Sequence, residues 1–208
     1  MKIGLVDSGI GIVPFIKEII IQNKKNQYYC YSDCSFFPYG DKSELQLKRR
    51  LMYILSLFER YQVSELIICC NTLSYIYNKY KIKSSFKVKT ILDLNLKTGG
   101  KLLVTPFLSE RINGVSGENL AYNIENNNIY EIINFIKNIK EKKLVLSCTH
   151  YPIVKKIFEQ YDIDVIGNEN KLIEELITSE KLEFYADEGT KKLIKKYFHK
   201  LCISLISN

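Results

Sequence analysis

Tryptophan is missing from the 208 residues, and histidine occurs only twice, as His150 and His199. With so few imidazoles, no set of histidines can build a metal centre. The spacing Cys30-x3-Cys34 has no second Cys/His pair to complete a zinc site. No uncharged apolar run reaches the length of a membrane span. Met1-Lys2 is followed by an apolar run, but Asp7 interrupts it too early for the apolar stretch of a secretory signal. Six cysteines without such a signal point to a reducing compartment, so a cytoplasmic location is expected. Glycines are also too few where a dinucleotide fingerprint would need them. Gly9-Ile10-Gly11 follows an apolar run, but Pro14 stands where the third glycine belongs, and Asp7 would repel a pyrophosphate.

What remains is an ordinary globular composition, 46% hydrophobic and 25% charged, long enough for one large core or two small ones. The net charge of +7 comes from lysines spread along the chain beside glutamates. That pattern reads as a solvated Lys-rich surface rather than a nucleic-acid face.

Apolar runs that end in polar residues alternate with amphipathic segments. Ile3–Asp7, Tyr28–Asp33, Glu65–Cys70, Lys87–Leu92, Lys101–Thr105, Leu144–Cys148 and Asp164–Gly167 read as strands, the last being the final one. Helices are expected over about 11–22, 43–61, 72–80, 129–140, 152–161, 170–179 and 190–201. Residues 113–128 read as loops, because Gly114, Gly117 and Asn126-Asn127-Asn128 interrupt any period. Such alternation predicts an α/β fold with mainly parallel sheets. The pattern restarts near Lys101, after a link at 95–100, which predicts two similar halves.

Two stretches carry the chemistry. Leu66-Ile67-Ile68-Cys69-Cys70-Asn71-Thr72 and Leu144-Val145-Leu146-Ser147-Cys148-Thr149-His150 each run from an apolar strand into a cysteine and small polar residues. Strand carboxyl ends are where ligands bind in open α/β sheets. A following helix N-terminus would favour the thiolate of each cysteine. His150 lies two residues past Cys148, and Asp7 ends a strand that could run beside that of Cys70. The other four cysteines, Cys30, Cys34, Cys69 and Cys202, read as inert core, and His199 as solvated surface.

Asp7-Ser8-Gly9, Pro38-Tyr39-Gly40, Cys70-Asn71-Thr72 and Cys148-Thr149-His150-Tyr151-Pro152, in that order, resemble the glutamate racemase family of the cofactor-independent aspartate/glutamate racemases. The resemblance covers nearly the whole chain. It implies two α/β domains, related by a pseudo-two-fold, that face each other across a cleft. Residues 1–94 with 171–208 would form the first domain, and residues 95–170 a shortened second one. It implies that Cys70 and Cys148 exchange protons with opposite faces of glutamate Cα, with no cofactor and no metal. Asp7 would assist Cys70, and His150 would assist Cys148. A further assisting glutamate is matched best by Glu125, with Glu118 as the alternative. Asp7, Ser8, Tyr39, Gly40, Asn71, Thr72, Thr149 and His150 would hold the substrate. The family makes D-glutamate for peptidoglycan, and its members often form homodimers; neither nucleic acid nor membrane is implied as a partner.

The departures from the family pattern fall near the substrate. Ile12 replaces a glycine of Asp-Ser-Gly-x-Gly-Gly, Phe36 stands near the place of a common arginine, and Val104-Thr105-Pro106 keeps one threonine of two. Two other readings keep the same motifs: a racemase of aspartate or another amino acid, and a binding protein of this fold without turnover. A cysteine hydrolase built on Cys148 and His150 would leave Cys70 unexplained.

Overall fold

The computed structural model describes residues 1–206 and consists of two parallel sheets flanked by helices. Residues 207–208, which the sequence reading grouped with the first domain, lie outside the described residues. The larger sheet uses β1 (Lys2–Asp7), β2 (Gln27–Ser32), β3 (Glu65–Ile68), β4 (Lys87–Thr90), β9 (Glu183–Ala186) and β10 (Ile203–Leu205). Its order is β10-β9-β2-β1-β3-β4. The smaller sheet uses β5 (Leu102–Val104), β6 (Gly114–Ser116), β7 (Lys143–Ser147) and β8 (Asp164–Ile166), in the order β6-β5-β7-β8. The helices that reach the cleft or its supports are among the first six: α1 (Val13–Ile21), α2 (Glu44–Arg60), α3 (Asn71–Lys79), α4 (Ile91–Thr98), α5 (Pro106–Ser109) and α6 (Leu120–Glu125).

The two sheet orders share one plan. In each sheet the first strand lies between the second and the third, with the fourth beyond the third: β2-β1-β3-β4 and β6-β5-β7-β8. The chain thus reverses its direction of growth beside β1 and again beside β5. At such switch points the connections diverge to opposite faces and leave a crevice at the strand carboxyl ends. The register puts Val6 opposite Ile68 and Val104 opposite Ser147. Cys70 therefore emerges beside the end of β1, and Cys148 beside the end of β5.

Local sequence explains these elements. β1 and β3 are buried almost throughout, as central strands of a parallel sheet covered on both faces must be. Helix α2 starts at Ser43, whose hydroxyl and Gln46 form a reciprocal capping box. It buries Leu47, Leu51, Ile54, Leu55 and Phe58, as their helical spacing predicts. Val6, Cys70, Val104 and Val145 share one apolar cluster, so residues of both sheets pack in a common core.

Several expectations change. Asp164–Ile166 is not the final strand, since β9 and β10 follow and extend the larger sheet. β9 alternates half-buried and buried residues, and β10 has three residues at the sheet edge, so neither gives a long apolar run. Ile91 and Leu92 do not extend β4. They open helix α4, capped by the Thr90 hydroxyl, which accepts from the Asp93 N–H at 3.3 Å. Residues 113–128, read as loops, hold β6 and the short helix α6. The buried residues of α6 are Leu120 and Ile124, too few to make a period visible. Cys34 and Cys202 are exposed rather than core, whereas Cys30 and Cys69 are buried.

Candidate active site

A cleft with a cavity of about 140 Å³ lies where the carboxyl ends of the two sheets meet. Cys70 lines it from the end of β3 and Cys148 from the end of β7, and each is 6% exposed. The two thiols thus reach one small space from different sheets. Ser8, Tyr39, Gly40, Asn71, Thr72, Thr149 and His150 also line it, as does Thr105. Asp7 and Glu125 do not; they stand behind the lining residues.

Cys70 is the N-cap residue of helix α3, and the Leu73 N–H and the Ser8 side chain are near enough to draw its pKa down. These donors favour a thiolate, as expected of a helix N-terminus. Burial outweighs them and, with the nearby Asp7 charge, pushes the Cys70 thiol well above its ordinary value. The helix N-terminus does favour the thiolate, as expected, but burial outweighs it and Cys70 holds its proton in this enclosed site.

Asp7 is fully buried at the end of β1. It accepts from the Gly9 N–H at 2.9 Å and from the Thr149 hydroxyl at 2.9 Å. Burial raises its carboxyl to about 6, although the charge on His150 and these two donors pull the other way. The Thr149 bond joins the two halves of the site, because Asp7 ends a strand of one sheet and Thr149 follows a strand of the other.

His150 is 1% exposed. Its Nδ1 lies 3.8 Å from the Cys148 sulfur, and its Nε2 lies 2.6 Å from Glu125 Oε2. Burial alone would lower the imidazole pKa. The bonds to Cys148 and Glu125 and the charges around the ring overcome it and raise the value to about 10. Glu125 also accepts from the Ile10 N–H at 3.0 Å, a second link between the halves. Of the two candidate glutamates, Glu125 holds the imidazole, while Glu118 is exposed at the cleft wall.

Gly11 shows why glycine is needed in this turn. A Cβ there would lie 2.2 Å from the Thr149 hydroxyl and 2.6 Å from Asp7 Oδ2. Alanine must push the two groups apart. Since misplacement by about 1 Å can cost about 10²-fold in rate, Gly11→Ala is expected to lower kcat by at least about tenfold. Steady-state kinetics beside a thermal melt will check this, and an unchanged kcat would remove the Asp7–Thr149 bond from the working parts. The next residue, Ile12, is buried in the core.

Sequence reasoning missed several contributors. Phe37 packs against the His150 ring at 5.4 Å between centroids and forms part of the cleft wall. Asn119, Ala121 and Tyr122 close the cleft from the segment read as loops. Asp33 is buried and is held by the Arg50 guanidinium, with Arg50 Nε at 2.7 Å, and by the Tyr39 hydroxyl at 2.8 Å. That ion pair fixes Tyr39 in the cleft wall. The Arg50 guanidinium also sits over the Phe36 ring, so a cation reaches this region from α2. The one sequence signal for it was an arginine directly before Leu51, a buried position of α2.

The two parallel sheets with a cleft at their carboxyl ends are similar in fold to solved glutamate racemases. Glutamate racemase of Campylobacter jejuni superposes with a TM-score of 0.78 over 97% of this chain and 100% of that one, at 23% identity. Glutamate racemase of Francisella tularensis, solved with D-glutamate, gives 0.77 over 99% and 97%, at 19% identity. No protein-family model matches the chain. In sequence the resemblance is to the glutamate racemases in particular. Glutamate racemase 3 of Caldanaerobacter subterraneus is 26% identical over an alignment of 246 positions with gaps, covering 93% of this chain and 88% of the relative. Glutamate racemase of Borreliella burgdorferi is 28% identical over 203, covering 84% and 78%.

Proposed function

We propose that this protein interconverts L- and D-glutamate by moving protons between Cα and two thiols, Cys70 and Cys148. The observation that carries the reading is that both sulfurs line one small cavity from different sheets. Inverting a carbon centre needs a base on one face and an acid on the other. One thiolate takes the α-proton, and the opposite thiol delivers its proton to the other face. Each turnover leaves the two sulfurs with their protonation states exchanged.

Electrostatics supports an acid in the resting site and a cation beside the second sulfur. Burial keeps the proton on Cys70, and His150, raised to about 10, sets an imidazolium beside Cys148. Asp7 would take the Cys70 proton when the reaction runs the other way. The substrate carboxylates would be held by N–H and hydroxyl groups at Ser8, Gly40, Asn71, Thr72 and Thr149. These donors would also stabilise charge that develops at Cα. No step requires a cofactor.

The rest of the reading follows from the same resemblance. D-Glutamate would supply peptidoglycan synthesis, and the enzyme would work in the cytoplasm, a homodimer being one assembly the resemblance allows. Its first domain would span 1–94 with 171–208, and its second 95–170.

The test is solvent deuterium incorporation at Cα of L-glutamate and of D-glutamate, followed by NMR with purified protein and no added cofactor. Exchange with inversion supports the proposal. No exchange with either enantiomer, in folded protein, overturns the glutamate assignment. The same assay on aspartate and other amino acids then separates a changed substrate from a binding protein of this fold.

A further inference from the structure

Asn71 lines the cleft, and a carboxamide can present either its oxygen or its NH₂ there at almost no steric cost. Only hydrogen bonds behind it decide which way it faces. We infer that Thr98, Asn168 and Asn95 form a directional relay that fixes Asn71 as a donor toward the cleft.

The direction starts at a group that cannot reverse. The Leu94 carbonyl only accepts, and the Thr98 hydroxyl donates to it at 2.9 Å. That uses the single hydroxyl proton, so Thr98 Oγ1 must accept from its other neighbour, the Asn168 Nδ2 at 2.9 Å. The NH₂ of Asn168 is thereby turned toward helix α4. It also donates to Asn95 Oδ1 at 2.8 Å. With its oxygen so engaged, Asn95 turns its NH₂ the other way and donates to Asn71 Oδ1 at 2.9 Å. The Leu146 carbonyl at 3.5 Å and Ser147 Oγ at 3.4 Å favour that NH₂ as well.

Asn71 Oδ1 also accepts from the Ser147 hydroxyl at 3.0 Å. Its oxygen is doubly engaged, and among the described residues no protein group accepts from its NH₂. Asn95, Ser147 and Asn168 are all buried, so water does not compete for these bonds. The cost of the arrangement is one buried acceptor, Asn168 Oδ1, left without a protein partner.

A cleft that meets its ligand with an NH₂ at this point takes a carboxylate oxygen and disfavours an ammonium group. The relay therefore orients the substrate, and in this respect it rests on the proposed function. Asn95, Asn168 and Thr98 are positioning residues, since none of the three lines the cleft.

The decisive variant is Asn95→Asp, assayed at pH 8. An ionised carboxylate at 95 offers only acceptors, so Asn71 must turn its NH₂ back and show its oxygen to the cleft. A lost hydrogen bond to a charged partner predicts a rise in the glutamate KM of about tenfold or more, with kcat changed less than about threefold. Thr98→Val, which removes the fixed end of the relay, is expected to raise KM in the same direction by a smaller factor, and it serves if Asn95→Asp does not fold. Side-chain amide NMR supplies a readout that needs no turnover. In the wild type the NH₂ protons of Asn95 and Asn168 should exchange slowly with solvent, and those of Asn71, buried but without a protein acceptor, faster than either. In Asn95→Asp, those of Asn71 should become protected.

An unchanged KM in a folded variant, beside a wild type that turns over glutamate, overturns the relay. So does an Asn71 NH₂ as strongly protected in the wild type as those of Asn95 and Asn168. If the wild type does not act on glutamate, the functional reading fails, and the amide exchange pattern alone decides the relay.

Discussion

Serine in place of Cys70 or of Cys148 is expected to lower glutamate racemisation by about 10²- to 10⁴-fold in both directions, the range for losing a positioned acid or base. The hydroxyl nearly matches the thiol in size, so the cleft should keep its shape and the melting temperature should change little. Proton affinity is what changes. A serine hydroxyl neither gives up its proton as a thiol does nor reaches an ionised state that could take one from carbon.

Each single variant still has one working sulfur. It should therefore exchange the α-hydrogen of one enantiomer for deuterium faster than it inverts that enantiomer. The two variants should prefer opposite enantiomers, because the sulfurs approach from different sheets. Cys34→Ser and Cys202→Ser, at exposed positions, serve as controls and should retain activity. Equal racemisation by wild type and either site variant would end the two-thiol mechanism. A shared enantiomer preference in the two variants would show that both sulfurs reach the same face.

The second large effect is expected in the pH profile. Asp7 can accept a proton from Cys70 only when ionised, and burial has raised its carboxyl to about 6. Below that value Asp7 is protonated and cannot assist; above it the carboxylate is available. kcat/KM should therefore rise with pH through about 6. On the alkaline side His150 loses its proton near 10, and the cation beside Cys148 disappears, so kcat/KM should fall there. Asp7→Asn should remove the acid limb and lower kcat/KM by about 10²-fold, the lower end for losing an acid/base group. Rates over a range of about pH 5 to 10.5 in both proteins will check it; an acid limb that persists in Asp7→Asn assigns that limb to another group.

Much of the site was legible because its residues sit beside apolar runs. Val6, Ile68, Val104 and Leu146 belong to buried strands, and the polar residues that follow such strands must lie at the sheet edge. That is how Asp7, Cys70, Thr105 and Cys148 could be placed at strand ends from the sequence alone. Glu125 was harder. It lies at the end of a six-residue helix with two buried residues, and its 2.6 Å approach to His150 and its bond from the Ile10 N–H, both across the fold, distinguish it from Glu118. β9 and β10 were missed for a related reason. β10 is a three-residue edge strand and β9 a four-residue strand of alternating burial between β10 and β2, so neither needs a long apolar run; each takes its place from backbone bonds to strands supplied by distant parts of the chain.

The sequence by itself determined the alternation of strand and helix, the repeat that restarts near Lys101, and the two cysteines at equivalent strand ends. These are local properties: periodicity, capping and residue type act over a few positions. Tertiary structure alone decided the charge states and the orientations. Cys70 keeps its proton because burial outweighs a helix N-terminus, and Asp7 titrates near 6 because it is buried between the two halves. Asn71 faces the cleft as a donor because Asn95, Asn168 and Thr98, far from it in sequence, line up behind it. Desolvation and hydrogen-bond direction depend on everything that surrounds a group, and those surroundings are assembled only when the two sheets close on one another.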